Sequence, residues 1–119
     1  LLIQNIAMNV KNFDEQTFRS AKREAQPFAV LYWNPQGPPC QYFKQQLDEA
    51  IKQAKQLQNL QIGLVDCTMQ GNRNVCNNEG IYVMPTFKLY QNKNIAIYQG
   101  QKSSQEIISW LDSNIKTEL

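Results

Sequence analysis

Two continuous apolar runs dominate the hydropathy pattern of this 119-residue chain. Residues 28–33 are all apolar or aromatic, and residues 60–67 form a second, largely apolar run. Runs of this length are typical of strands that are covered on both faces of a sheet. We therefore predict two buried strands, and a shorter apolar segment at residues 6–10 as the first strand of the chain.

Three segments carry helix signals. Asp14 is predicted to cap a helix that runs to about Ala25, and Ser103 with Glu106 forms a capping-box pattern before a last helix. The longest helix is predicted to begin at Pro38 or Pro39, where proline suits a first turn. Its apolar positions recur at helical spacing: Phe43, Leu47, Ala50, Ile51, Ala54 and Leu57.

The remaining segments complete an alternating order. Residues 71–80 are polar and predict a loop with a short helix, while residues 86–90 and 95–98 flank a turn-rich tetrad and predict an antiparallel hairpin. The resulting order, β-α-β-α-β-α-β-β-α, indicates an α/β fold. Without repeats or a linker, residues 1–119 are predicted to form a single domain.

Composition removes several classes of function. A net charge of +2, from 12 basic and 10 acidic residues, argues against nucleic acid or a membrane surface as partner, and no apolar run reaches a membrane span. The chain contains no histidine, which excludes His-dependent nucleophilic catalysis and disfavours a zinc site on its three cysteines. We expect no metal and no cofactor, and thiol chemistry is the catalytic option that remains.

Four motifs occur in the order and spacing of one known family. Trp33-Asn34-Pro35-Gln36-Gly37-Pro38-Pro39-Cys40 follows the second predicted strand, and Val65-Asp66-Cys67-Thr68, Met84-Pro85-Thr86-Phe87-Lys88 and Tyr98-Gln99-Gly100-Gln101-Lys102 follow in turn. With these motifs the chain resembles an a-type domain of the protein disulfide isomerase family over nearly its whole length. The resemblance implies a thioredoxin fold, with a central mixed sheet flanked by helices.

The chain departs from the family pattern at the positions that carry its chemistry. The attacking cysteine of the C-x-x-C pair falls on Gly37, the buried glutamate on Leu31, and the lysine that pairs with that glutamate on Leu64. A buried charge without its partner is costly, so the two charges are expected to be lost together. Gly37 and Cys40 are then vestigial positions, and we predict that the domain is redox-inactive.

Cys40 and the pair Cys67 and Cys76 each have two possible chemical states. Cys40, early in a helix and beneath two prolines, is either an inert buried thiol or a monothiol that forms mixed disulfides, and we favour the inert thiol. The resemblance implies a structural disulfide between Cys67 and Cys76, whereas two reduced thiols would suit a cytosolic protein. The terminal residues Lys116-Thr117-Glu118-Leu119 resemble a K-D-E-L retrieval signal, so we expect the endoplasmic reticulum lumen.

Met84-Pro85 is the candidate binding site. In the family this proline is cis and faces the active-site turn, which leaves the preceding backbone free to pair with an extended peptide; the plainer reading is that it only shapes the turn. The expected peptide-binding residues are Trp33, Pro38, Pro39, Met84 and Pro85, with Tyr82 beside them.

Three functions follow from this sequence. The first is a chaperone or adaptor domain that binds unfolded or extended client polypeptides at the cis-proline face. The second is a thiol-disulfide oxidoreductase or isomerase that acts through Cys40 alone. The third is a structural subunit of a larger protein assembly. Thiol reactivity separates the second function from the others, and affinity for unfolded peptide separates the first from the third.

Overall fold

A computed structural model describes residues 9–115 of the chain. Residues 6–8 of the first predicted strand and the terminal tetrapeptide 116–119 lie outside the described residues. The strands are β1 (Val10–Asn12), β2 (Phe28–Trp33), β3 (Gln61–Asp66), β4 (Thr86–Gln91) and β5 (Asn94–Ile97). The helices are α1 (Glu15–Arg23), α2 (Pro38–Gln53), α3 (Arg73–Asn78) and α4 (Ser104–Asn114). This is the predicted order, and it gives the predicted thioredoxin fold.

The five strands form one mixed sheet in the order β1-β3-β2-β4-β5. β1, β3 and β2 are parallel, whereas β4 runs antiparallel to β2 and pairs with β5 in the predicted hairpin. Asn92 adopts a positive φ of 54° in the hairpin turn, a conformation that asparagine tolerates better than most residues. Of the parallel strands, β2 and β3 are buried along most of their length, which explains their largely apolar runs, whereas β1 lies at the edge of the sheet and is largely exposed.

Alternate residues of β2, β3 and β4 enter two separate cores. On one face, which we call the α2/α4 face, Leu31 of β2 and Leu64 of β3 pack with residues of α2 and α4. On the other, which we call the α1/α3 face, Tyr32 and Val65 pack with residues of α1 and α3. Because side chains alternate across a strand, neighbouring residues such as Leu31 and Tyr32 face different environments.

Two predicted helix details are wrong at the level of single residues. α2 ends at Gln53, because Ala54 leaves the helical conformation, and Leu57 lies in a separate 3-10 helix at Lys55–Asn59 where it is still buried. The Ser103 side chain caps α4 by accepting from the Glu106 N–H, but the Glu106 carboxylate accepts from Gln101 instead of closing the capping box. The complete capping box is at α1, between Asp14 and Thr17.

One glycine is required by close packing. A Cβ at Gly63 of β3 would lie 2.3 Å from the ring of Phe13, so only glycine allows this ring to lie against the sheet. The Phe13 N–H also donates to the Leu64 carbonyl at 2.8 Å, which extends the β1–β3 pairing by one residue. Phe13 thereby becomes a buried wall at the carboxyl end of the parallel strands.

Candidate functional site

The loop between β2 and α2 is organised by Asn34. Its carbonyl accepts from the Gly37 N–H at 2.9 Å, and its Oδ1 accepts from the Gln36 N–H at 3.0 Å. Gln41, in the first turn of α2, donates from its side chain to the Pro35 carbonyl at 2.8 Å. These bonds tie the turn to the helix start and fix where α2 begins.

Cys40 is buried at the third position of α2, with 2% of its surface exposed. Its sulfur accepts a hydrogen bond from the Asn34 N–H at 3.4 Å. A thiol in this position is shielded from dissolved disulfides unless the loop moves. The low reactivity expected of Cys40 remains a prediction.

Gly37 is the N-cap of α2 and has an ordinary extended conformation, with φ −82° and ψ 125°. A Cβ at this position would approach no atom more closely than 3.4 Å, the distance to the Asn34 carbonyl oxygen. That separation is an ordinary contact, so the backbone accepts a side chain here. The fold therefore does not require glycine at the position where a C-x-x-C pair would begin.

Leu31 and Leu64 are direct cross-strand partners in the β2–β3 register. Leu31 is fully buried and Leu64 is 8% exposed, and every buried residue in their cluster is apolar. A charged side chain at either position would need an opposite charge at the other position to offset its desolvation. As leucines, the two supply packing and can neither take up nor release a proton.

The Met84-Pro85 peptide bond is cis, as predicted. Tyr32 pairs with Thr86, so the antiparallel register brings Pro85 to the end of the sheet at which Trp33 leads into the β2–α2 loop. The residues before the proline are open to solvent: Tyr82 is 90% exposed, Val83 70% and Met84 38%.

The other expected binding residues differ in how much surface they offer. Pro38 and Pro39 are exposed, whereas Pro85 is half-buried. Trp33 is also half-buried and packs partly against the α2/α4 core. That these five residues bind peptide together is still a prediction.

The predicted Cys67–Cys76 disulfide is present, with a Cα–Cα distance of 6.0 Å. It joins the end of β3 to α3, and Cys76 is buried in the α1/α3 core. The Cys67 N–H donates to the Trp33 carbonyl at 3.0 Å, which links the disulfide loop to the end of β2.

A buried polar network that no sequence pattern predicted lies on the α1/α3 face. The Tyr90 hydroxyl donates to Glu79 Oε1 at 2.7 Å, so the proton in the 2.5 Å contact between the two tyrosine oxygens comes from Tyr32. Lys88 Nζ donates to the Glu79 carbonyl at 2.6 Å and lies 5.9 Å from the centroid of the Tyr32 ring. Lys22 reaches the other Glu79 oxygen at 3.4 Å.

Burial raises the pKa of both Tyr32 and Tyr90 above the usual tyrosine value. The nearby Glu79 carboxylate acts in the same direction on each pKa, because it disfavours a second negative charge. Both hydroxyls are therefore neutral donors near pH 7. The one signal in the sequence was Lys88, a lysine inside an otherwise apolar strand.

Residues 9–115 hold no group of three Asp, Glu, Cys or His side chains arranged to bind a metal ion. In the same range, no helix is both long enough and apolar enough to cross a membrane.

Known proteins match this chain in sequence and in structure. A family model described as Thioredoxin matches residues 5–113. DnaJ homolog subfamily C member 10 from Mus musculus is 26% identical over 110 residues, and the Homo sapiens protein 26% over 109. Each match covers 92% of this chain but only 13% of the relative, so the chain spans about an eighth of the length of these relatives.

The solved structures agree on the fold. The J-Trx1 fragment of ERdj5 matches with a TM-score of 0.77 at 18% identity, over 91% of this chain and 54% of that one. Human ERp44 in its zinc-bound form gives 0.75 at 18%, over 87% and 30%, and Chlamydomonas reinhardtii thioredoxin f2 gives 0.70 at 22%, over 87% and 94%. With the family model matched from strand β1 to helix α4, the chain belongs to the thioredoxin family.

Proposed function

We propose that this domain is a redox-inactive, protein disulfide isomerase-like module that binds unfolded or extended polypeptide at the end of the sheet marked by cis-Pro85. One observation carries the proposal: at this end of the sheet the single free thiol described is buried, while the apolar run Tyr82-Val83-Met84 is exposed. The surface available to a partner is therefore apolar side chains and backbone.

The backbone before Pro85 is the expected edge for an extended partner. In the protein disulfide isomerase family, which this chain resembles, the backbone before this proline pairs with an extended peptide. Exposed tyrosine, valine and methionine side chains beside such an edge provide contacts that tolerate many sequences. This combination favours a chaperone or adaptor role over recognition of one fixed ligand.

Thiol exchange through Cys40 alone is the competing activity. A mixed disulfide needs a thiolate that can reach the substrate sulfur, and a base or a positive charge that favours that thiolate. Cys40 is 2% exposed, and the position that holds the buried glutamate in the protein disulfide isomerase family, which this chain resembles, is Leu31. We infer that Cys40 is inert in the folded domain.

We also propose that the domain works in the endoplasmic reticulum lumen. The Cys67–Cys76 disulfide suits an oxidising compartment. The matches to ERdj5 and ERp44 support the same assignment.

The test is binding of a fluorescent, permanently unfolded polypeptide, followed by anisotropy. Tyr82→Ser with Met84→Ser is expected to weaken binding by about tenfold, because two apolar contacts are lost. Ile95→Ser is the control: it removes an apolar side chain that is 52% exposed, between Met84 at 38% and Tyr82 at 90%, from edge strand β5, and is expected to leave affinity unchanged.

A Cys40→Ser variant separates binding from monothiol chemistry. We expect it to bind the polypeptide as the unmodified domain does, and we expect alkylation of native Cys40 to be far slower than that of a free thiol. Rapid labelling, or a polypeptide captured only as a mixed disulfide, would favour the monothiol enzyme. Absence of any polypeptide binding would favour the structural subunit.

A further inference from the structure

A groove of about 560 Å³ opens beside the β2–α2 loop, on the side of the sheet that carries β1. Trp33 and Pro35 border the groove on the loop side, and Met69, which is 57% exposed, lies in the segment after β3. The buried side chains of Phe13 and Leu64 form its floor. Neither Met84 nor Pro85 lines this groove, and of the residues expected to bind peptide at the cis-proline surface it shares only Trp33.

The groove has room for at least one large side chain, and part of its lining is apolar. Its volume falls within the range of about 300 to 1,000 Å³ that is typical of ligand sites. Gly71 also lines the groove. A Cβ at Gly71 would meet no atom within 4 Å, so there is open space beside this residue. An aromatic or long aliphatic side chain entering the groove would contact Trp33, Met69 and the floor.

The charges at its rim select for a cation. Asn12 pairs with Leu64 in the parallel β1–β3 register. Asp14 lies two residues after Asn12, at the N-cap of α1, and Asp66 lies two residues after Leu64, at the end of β3. Both aspartates line the groove, and its described lining includes no lysine or arginine. Each carboxylate uses its Oδ1 to hold a local turn, Asp14 with Thr17 and Asp66 with Thr68.

A second groove across Asn12 and Leu64 has the opposite charge. It is smaller, about 340 Å³, and is lined by Lys11, Lys44 and Lys52 with a single acid, Asp48. Lys44 is paired with Asp48 at 2.8 Å, so the other two lysines give this groove its positive charge. A charged partner would therefore bind differently to the acidic groove and to the basic groove on the two sides of β1.

We infer that the groove between Trp33 and Met69 is a second polypeptide-binding site, whose ligand is an extended segment with one large apolar side chain flanked by lysine or arginine. The apolar side chain occupies the space above Phe13 and Leu64, and the flanking cations lie near Asp14 and Asp66. This inference rests on the proposed polypeptide-binding function and adds a sequence preference to it.

The experiment uses two peptides that share one apolar core, Gly-Phe-Gly, flanked by lysines in one and by glutamates in the other. The chain has two tryptophans, so in a Trp110→Phe background the emission of Trp33 alone reports on the groove. We expect the lysine-flanked peptide to shift this emission on binding and the glutamate-flanked peptide to bind at least fivefold more weakly.

Asp14→Asn with Asp66→Asn removes both charges but keeps an acceptor oxygen for Thr17 and Thr68. This pair is expected to weaken binding of the lysine-flanked peptide by about five- to tenfold at low salt, the range for two exposed ion pairs. Met69→Ser is expected to weaken it further. Lys11→Gln with Lys52→Gln, in the opposite groove, is the matched control and is expected to leave it unchanged.

The possible failures are distinct. If binding of the lysine-flanked peptide depends on Tyr82 and Met84 but not on Asp14, Asp66 and Met69, the groove is not a site, although the domain still binds polypeptide. If the glutamate-flanked peptide binds as well or better, the charge preference is wrong and so is the inference. If neither peptide nor an unfolded polypeptide binds, the proposed function fails as well.

Discussion

The two faces of the central sheet treat buried polar groups in opposite ways. On the α2/α4 face the buried cluster is entirely apolar and includes the cross-strand pair Leu31 and Leu64. On the α1/α3 face, one residue along β2, Tyr32 begins a chain of hydrogen bonds through Tyr90 to Glu79, and Lys88 donates to the Glu79 backbone. The same strands therefore border an apolar core on one side of the sheet and a hydrogen-bonded polar network on the other.

The difference shows what allows a polar group to remain buried. Each described polar atom of the α1/α3 network has a partner within hydrogen-bond distance, so its desolvation is offset. Among the described residues the only buried charged one is Lys88, which belongs to the α1/α3 network, so no buried charge is available to partner one at position 31. We infer that this face cannot hold a single ionisable group, and that a catalytic pair would have to be restored as a pair.

The largest expected effect on stability comes from placing a charge in the apolar core of the α2/α4 face. Leu31→Glu is expected to destabilise the domain by about 3 to 5 kcal/mol at neutral pH, because an unpaired carboxyl enters a fully buried site. Denaturant unfolding midpoints would measure it, and the loss should lessen at low pH as the carboxyl becomes protonated.

Adding Leu64→Lys is expected to recover part of the loss, because residues 31 and 64 are direct cross-strand partners. A Leu31→Glu variant as stable as the original chain would contradict the distinction between the two faces.

A smaller effect is expected from breaking the polar network. Tyr90→Phe removes the hydroxyl that links Tyr32 to Glu79 and leaves two groups without a partner, at a cost of about 1 to 3 kcal/mol. A Tyr32→Phe, Tyr90→Phe double variant is expected to lose less than the sum of the two single variants, as measured by unfolding midpoints. Strict additivity would mean that the tyrosines do not act as one network.

The network also predicts a dependence on alkaline pH. Tyr32 and Tyr90 have pKa values raised above the usual value of 10.0, so between that value and the raised pKa the unfolded chain binds fewer protons than the native domain. The stabilisation is therefore complete below about pH 10 and is lost as the pH rises further.

Unfolding midpoints between pH 8 and pH 11 would measure this loss. The Tyr32→Phe, Tyr90→Phe variant is expected to show a shallower decline above pH 10 than the original chain. Equal declines in the two proteins would contradict the assignment.

Local patterns were enough to predict most of the fold. The limits of β2 were predicted to the residue, because a solid apolar run ends at a proline-rich turn. The end of α2 was not, because Leu57 stays in phase with the apolar stripe although the backbone changes to a 3-10 helix. Periodicity reports which residues are buried and is less sensitive to the form of the helix that buries them.

The parts of the site that the sequence analysis missed depend on contacts between distant residues. Tyr32 and Tyr90 are 58 positions apart, and each alone resembles an ordinary strand residue. The groove floor depends on Gly63 admitting the Phe13 ring, a packing relation that no local pattern reveals. The loop and the cis-proline were predictable because each is a short motif.

The most direct test of whether this domain has lost thiol exchange as a whole is the turnover of a disulfide-linked peptide by Gly37→Cys. Position 37 has room for a Cβ, so the variant is expected to fold and to recreate a C-x-x-C pair. We expect only weak turnover, because Cys40 remains buried and Leu31, at the position of the family's buried glutamate, cannot accept its proton. We expect higher turnover when Leu31→Glu and Leu64→Lys are added. If Gly37→Cys alone turned over the peptide as fast as an intact thioredoxin-family domain does, only one catalytic residue would have been lost. That result would contradict this interpretation of the α2/α4 face.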